Sequence, residues 1–324
     1  MGAAKSWTGG KILVTGATGF LGRHLSRLLV SENVDVCLCS HREQKWQDLQ
    51  LQQVDVCDRR SVFDLVKLIR PDGVIHLAAA GVTRSDLPLS KLLQVNVLGT
   101  ENLLAAIAEF ASHAPVVLVG TGYEYRSQSR PLREEDELLP ASAYAVSKSA
   151  AGLCASFYAH LAPITLVRLF NTYGPGEPRQ RLLPYIVSCA QDGVPIALTG
   201  CEQIRDFTFV SDVATALWTV LKSSPTTAEL RVLNVGSGQP VALKQFVSKA
   251  LGVLEERGYS PKVVFGARPY RCDDPMYCVA DTTRISQGYG FWTLIDLDEG
   301  IQRTIASLLE GTAVSQSGLP RDLS

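Results

Sequence analysis

Tyr144 and Lys148 lie four residues apart in Tyr144-Ala145-Val146-Ser147-Lys148, at the start of a stretch (143–161) with helical spacing. Residues i and i+4 share one helix face, which puts an ammonium beside a phenol. Such a cation lowers the phenol's pKa from about 10 toward neutrality, so that the phenol can exchange a proton with a carbinol oxygen. By itself the spacing is common and marks a surface pair. Upstream, the apolar run 116–120 ends in Thr121-Gly122-Tyr123. In a parallel sheet, ligands collect at the carboxyl ends of strands. Thr121 is therefore placed to hydrogen-bond the oxygen that Tyr144 protonates or deprotonates. The plain alternative is a Thr in an ordinary strand–loop junction.

A second constellation gives the pair its meaning. Gly16-Ala17-Thr18-Gly19-Phe20-Leu21-Gly22 follows one strand-like run (11–15) and opens a helical one (21–30). A pyrophosphate approaches backbone N–H groups only where no Cβ intervenes, and a helix N-terminus adds partial positive charge. Between a strand and a helix, the glycines read as a dinucleotide cradle rather than a structural turn. About 20 residues on, a NAD site would carry an acid for the ribose 2′-OH. Here Ser40-His41-Arg42 stands there, and the first acid is Glu43. A hydroxyl, an imidazole and a guanidinium suit a 2′-phosphate, which favours NADP over the alternative NAD. A solvated Arg after a strand is the plain reading.

The elements that must position these groups are legible as alternation. Strand-like runs at 11–15, 34–39, 73–77, 115–119 and 164–170 alternate with helical patterns at 21–30, 61–69, 89–111 and 143–161. That pattern predicts an α/β fold, a doubly wound parallel sheet of Rossmann type covered on both faces. After Gly174, Gly and Pro become frequent and the elements shorten. The expected organisation is a dinucleotide-binding and catalytic domain over 10–174. A smaller, mainly C-terminal substrate lobe covers 175–310, with strands and a helix returning to the first domain around 205–236. The polar, Gly/Ser-rich residues 311–324 are predicted to be a disordered tail.

The 324 residues are 46% hydrophobic and carry a net charge of −1, with both signs interspersed. No basic stripe points to nucleic acid. Residues 1–10 lack a secretory signal, and no run reaches the ~20 apolar residues of a membrane span. The eight cysteines include no Cys-x-x-Cys pair, which argues against a metal site and suits a reducing cytoplasm.

In order, the chain also carries Val74-Ile75-His76-Leu77-Ala78-Ala79, Asn96 within Val95-Asn96-Val97-Leu98-Gly99-Thr100, and Arg168-Leu169-Phe170-Asn171-Thr172-Tyr173-Gly174-Pro175-Gly176. Arg205-Asp206-Phe207-Thr208-Phe209-Val210-Ser211-Asp212 and Asn234-Val235-Gly236-Ser237-Gly238 follow. With the glycine turn and the Thr–Tyr–Lys set, this series resembles the extended short-chain dehydrogenases/reductases, specifically the NAD(P)-dependent epimerase/dehydratase family of nucleotide-sugar enzymes. The likeness runs from about Lys11 to Leu309.

The resemblance implies that Thr121, Tyr144 and Lys148 perform the proton transfer. It implies that Asp55-Val56 lies beside the adenine, and that Leu77, Ala78, Ala79 and Asn96 border the cofactor. It assigns Asn171, Arg205 and Arg271 to the nucleotide diphosphate, with Thr121, Gly122 and Tyr123 beside the sugar. Arg271 is placed by its ten-residue offset from Asp281, and Arg268 is a neighbouring candidate. Guanidinium forks and an amide suit a diphosphate. His76 has a structural reading at least as good as any catalytic one. The segments 179–183 and 200–204 are expected to line the base pocket. A homodimer through helices 89–111 and 143–161 is implied as well.

The departures bear on the reaction. Sugar 4,6-dehydratases of the family carry Asp-Glu directly after the catalytic Thr, and UDP-glucuronate decarboxylases a Glu at the second position. Here Gly122 and Tyr123 stand there, leaving elimination without an evident proton donor. Glu124, one residue late on an extended strand, would face the other way unless a bulge returned it. The expectation is an NADP-dependent reductase of a nucleoside-diphosphate 4-keto-6-deoxy sugar. Alternatives are a NAD-dependent 4-epimerase, a non-catalytic NADP-binding regulator, and a reductase of a phenolic or steroid ketone. Arg205 and Arg271 argue against the last.

Overall fold

The computed structural model describes residues 9–42, 45–46, 49–82, 87–224, 227–271 and 273–316, with backbone alone for 311–316. Residues 1–8, Glu43, Cys272 and the part of the expected tail from 317 on lie outside the described residues.

Seven parallel strands form the main sheet: β1 (Ile12–Thr15), β2 (Val36–Ser40), β3 (Gln52–Gln53), β4 (Gly73–His76), β5 (Val116–Thr121), β6 (Ile164–Leu169) and β7 (Leu230–Val235). Their spatial order is β7-β6-β5-β4-β1-β2-β3. The chain winds outward from β1 through β3, then restarts at β4 on the other side of β1. The crevice between the carboxyl ends of β1 and β4 is therefore the switch point at which such sheets bind ligands.

Alternation along each strand builds two cores. Ile12 and Val14 face one side with Leu25, Leu29, Ile75 and Trp218. Leu13 faces the other with Val74, Leu103, Ile107, Val116 and Leu166. Helices α1 (Phe20–Ser31) and α5 (Val210–Lys222) cover the first face. Helices α2 (Arg59–Ile69), α3 (Gly99–Phe110) and α4 (Ala143–Tyr158) cover the second. The return of α5 and β7 is fixed by register Val235↔Leu169 and by Trp218 Nε1 donating to Glu32 at 2.6 Å.

The helical pattern at 89–111 is not one helix. A short helix, Leu89–Leu93, opens into a wide i→i+5 turn, Gln94–Leu98, before α3 begins. Wide turns of this kind gather at functional sites, and here the turn aims Asn96 inward.

A separate core unites Ile186, Ile196, Phe246, Ile301 and Ile305 in the smaller lobe. The last helix spans Leu297–Gln316, so 311–316 is helical where a tail was expected to start. Among the described residues no helix is long and apolar enough to cross a membrane.

Candidate active site

The glycine turn has the shape a dinucleotide requires. Gly16 has φ +70°, and a Cβ there would lie 2.6 Å from Ala78 N, so the turn packs directly on the Leu77–Ala79 segment. A Cβ at Gly22 would collide with the Gly16 and Ala17 carbonyls. Gly19 is the exposed N-cap of α1, with no side-chain cap and no acid in the first turn of that helix. Its backbone N–H groups and macrodipole are left to an anion. The residues present fit a dinucleotide.

Thr18 ties this turn to the end of β2, its hydroxyl 3.2 Å from that of buried Ser40. His41 and Arg42 are exposed beside it. His41 Nδ1 stands 3.7 Å from Asp55 Oδ2, so a carboxylate absent from β2 reaches its end from the loop after β3. That loop is fixed on α3. Asn102 donates to the Val56 carbonyl at 3.0 Å, and Gly99 lacks the Cβ that would meet Val56.

Between turn and catalytic helix runs a buried polar chain. Ala78 N–H donates to Thr15 Oγ1 (3.3 Å), which lies 2.6 Å from His76 Nδ1. His76 Nε2 is 3.1 Å from Thr100 Oγ1, which donates to the Asn96 carbonyl. These directions assign the Nε2–H tautomer. Burial, and then the charge of Lys148, push the imidazole down to about 3, so His76 is a neutral link inside the sheet. Asn96 exchanges hydrogen bonds with Ala80 N and O and donates to Ser147 Oγ at 2.8 Å. Ser147 donates to the Tyr144 carbonyl at 2.7 Å. Leu77, Ala78 and Ala79 follow β4 where the chain begins.

Ser142 caps α4 by accepting from Ala145 N, and this starts the helix one residue before Tyr144. Lys148 is 5% exposed. Burial lowers its ammonium to about 8, with Glu124 opposing. Tyr144 departs from the expected depression. Burial raises its phenol, Glu124 and Tyr123 raise it further, and Arg181 pulls it down. Desolvation of the phenolate outweighs the charge of Arg181, so the phenol keeps its proton.

Thr121 ends β5. The following residues, Gly122–Glu124, are not extended but form a single 3-10 turn capped by the Thr121 hydroxyl, which accepts from Tyr123 N. This corrects the expectation for Glu124. The tight turn, not a bulge, brings its carboxylate inward, where Oε1 accepts from Thr121 N at 2.8 Å and Oε2 from Arg168 Nε at 2.9 Å. Gly122 lies against Phe170, whose ring would be 2.8 Å from a Cβ. Tyr123 OH accepts from Asn171 Nδ2 at 3.2 Å.

In the smaller lobe Arg205 is 3% exposed and already engaged. It donates to the Ile204 carbonyl and to Asp274 Oδ1 at 2.6 Å. Arg271 is exposed at the surface three residues before Asp274. Arg268 donates to Tyr185 OH. Arg181 stands closer to the chemistry than its expected place near the base. Its guanidinium lies 5.8 Å from the Phe20 ring centroid, and its charge reaches Tyr144. Sequence reasoning missed Asp206, 0% exposed, which accepts from Ser237 N and Oγ, Gly238 N, Ala280 N and Thr208 Oγ1. Its place inside the Arg205–Asp212 motif, next to Arg205, is the signal that could have found it.

A doubly wound sheet with a glycine cradle at its switch point and a Tyr–Lys pair beside it defines a Rossmann-type, nicotinamide-dependent enzyme of the extended short-chain dehydrogenase/reductase class. The model of the NAD dependent epimerase/dehydratase family matches residues 12–236, and the chain belongs to that family.

It is similar to a probable dTDP-glucose 4,6-dehydratase of Sinorhizobium fredii, at 27% identity over 93% of each chain. It is 28% identical to the UDP-glucuronate 4-epimerase of Thermodesulfobacterium geofontis, over 91% of this chain and 95% of that one. Among solved structures, MoeE5 in complex with UDP-glucuronic acid and NAD matches with a TM-score of 0.83 at 30% identity. That match covers 93% of this chain and all of the other.

Proposed function

We propose that the protein is an NADP-dependent reductase of a nucleoside-diphosphate 4-keto-6-deoxy sugar. What supports this reading is a set of residues suited to giving a proton and lacking an acid at the position where elimination needs one. Tyr144 is held as a phenol, and the position where dehydratases place an acid is Gly122, sealed under Phe170. The Gly16–Gly22 cradle would hold the dinucleotide by its pyrophosphate, and the reduced cofactor would supply the hydride for the C4 carbonyl carbon. Thr121 hydrogen-bonds the C4 oxygen, Tyr144 gives it the proton, and the Lys148 ammonium stabilises the phenolate left behind. Ser40, His41 and Arg42 receive the 2′-phosphate. Asn171 and Arg271 hold the sugar diphosphate, while Arg205, committed to Asp274, shapes that pocket.

One observation favours a second reading, a NAD-dependent 4-epimerase. Asp55 stands at the β2 end beside His41, where a carboxylate would suit a free ribose hydroxyl. A homodimer through α3 and α4 is supported by Leu153 and Phe157, 69% and 66% exposed on α4. Sedimentation at increasing concentration tests it.

Separate titrations with NADPH and NADH, followed by nicotinamide absorbance in the presence of 4-keto-6-deoxy sugar nucleotides, test the main reading. It expects tight NADPH binding that weakens about tenfold in Arg42→Ala, as loss of one phosphate contact predicts, and stoichiometric oxidation by the keto sugar. Retained NAD, no preference for NADP and interconversion of C4 epimers without net oxidation would replace the reductase with the epimerase.

A further inference from the structure

Glu124 is 0% exposed, yet it is a carboxylate at the edge of the catalytic set. Its place is built into three strands. Gly120 on β5 lacks the Cβ that would sit 2.5 Å from Glu124 Oε1. Arg168, facing Gly120 on β6, pairs with Oε2 and also donates to Tyr125 OH at 2.9 Å. Tyr125 OH donates in turn to Asn234 Oδ1 on β7 at 2.7 Å. The brace ends on the Thr121 N–H.

We infer that Glu124 is a positioning residue of the proposed reduction: its buried carboxylate fixes the Thr121 backbone at the strand end and keeps a negative charge beside the Tyr144–Lys148 pair, holding that pair in its proton-donating form. The inference rests on the reading that Thr121, Tyr144 and Lys148 carry the proton transfer.

The charge is the informative part. The Thr121 N–H needs only an acceptor, which a neutral amide would supply without the desolvation that burying an ion entails. The Arg168 guanidinium, 2.9 Å from Oε2 and also over the Tyr125 ring, offsets part of that charge, and the remainder is what reaches Tyr144 and Lys148. The groups facing Tyr144 are Glu124 and Tyr123 from the 3-10 turn and Arg181 from the smaller lobe. Those facing Lys148 are Glu124 and the neutral His76. An ionised Glu124 makes both the phenol and the ammonium hold their protons to higher pH.

The test uses the full chain with lysine isotope-labelled at Cε, the Lys148 resonance being assigned with Lys148→Arg. Glu124→Gln retains an acceptor for the Thr121 N–H and removes only the charge. The Lys148 midpoint, about 8 in the parent, is expected to fall by on the order of one pH unit. The alkaline limb of kcat/KM for the reduction should move the same way. Glu124→Gln leaves Arg168 without its carboxylate and can impair folding, so Glu124→Gln/Arg168→Met is measured beside it and is expected to show a fall in the same direction, smaller because the Arg168 charge is gone as well. Gly120→Ala keeps both charges, displaces the carboxylate and crowds Arg168 and Leu166, and should show a smaller fall than Glu124→Gln. A Lys148 midpoint unchanged or raised in a folded variant overturns the inference. The titration needs no substrate. If no keto sugar is turned over while the midpoint still falls, the proposed reaction fails and the electrostatic role of Glu124 stands.

Discussion

Buried polar side chains between the glycine turn and the catalytic helix hand on to one another beside the cleft, whereas two buried acids of the returning 205–212 segment each gather backbone N–H groups. Thr15, His76, Thr100, Asn96 and Ser147 hand hydrogen bonds along a line that ends at Tyr144. Asp206 instead collects N–H groups of Ser237, Gly238 and Ala280, and Asp212 those of Leu294 and Ile295. Both are acids inside family-like motifs, and both serve to fasten loops. A shared motif therefore borders the cleft in one case and fastens loops in the other. Exposure and partners, not residue type, tell the two apart.

Two substitutions would break the contrast if it is wrong. Asp206→Ala strips several buried donors of one charged acceptor, and is expected to lower stability by about 4–5 kcal/mol. Chemical denaturation without ligand reads this, and nicotinamide should still bind to whatever fraction folds. Tyr144→Phe removes only a hydroxyl at the cleft. It should lower kcat about a thousandfold, within the range of lost general acid catalysis, while the denaturation midpoint stays within about 0.5 kcal/mol of the parent. A Tyr144→Phe variant that mainly loses stability would mean that the Tyr144 hydroxyl is architecture as well.

The same contrast explains what was legible in the sequence. The sheet, the glycine turn and the Tyr144–Lys148 face depend on neighbours within one strand or one helical turn, so spacing reveals them. The 3-10 turn that carries Glu124 inward and the wide turn that aims Asn96 depend on partners far along the chain: Arg168 for one, Ala80 and Ser147 for the other. Local pattern gave an extended strand and an unbroken helix instead. Arg205 was legible as a guanidinium in a diphosphate motif, but its pairing with Asp274, far off in sequence, was not. The raised Tyr144 follows from burial, which residue spacing does not encode.

Gly122→Ala sharpens the comparison at the catalytic edge. The new Cβ meets the Phe170 ring at 2.8 Å. Overpacking of this kind costs about 2–3 kcal/mol, read by thermal unfolding. It should also lower kcat/KM, because the shifted turn carries Thr121. Unchanged stability with unchanged kinetics would mean that Phe170 yields freely, and the position would then have room for the acid that dehydratases carry.

Glu177 belongs to neither pattern, and its effect is the smallest. It lies in the loop between the lobes, where His24 on α1 is 2.8 Å from the Pro175 carbonyl. It is 8% exposed, with Oε1 3.1 Å from Arg181 and Oε2 without a hydrogen-bond partner among the described residues. Burial raises its carboxyl from 4.5 to about 7, with Arg181 opposing. Because the folded state holds this proton more tightly than the unfolded state, stability falls as pH rises. The contribution is complete below 4.5, declines between 4.5 and about 7, and is gone above that. Glu177→Gln keeps the shape and cannot ionise. It should match the parent in acid and exceed it by roughly 1–2 kcal/mol above neutrality, less than the full shift because Arg181 loses its partner. Denaturant midpoints across that window check this. Parallel pH curves for parent and variant would mean that Glu177 is ionised in the folded chain, its lone oxygen satisfied, and the loop fastened as firmly as Asp206 fastens its own.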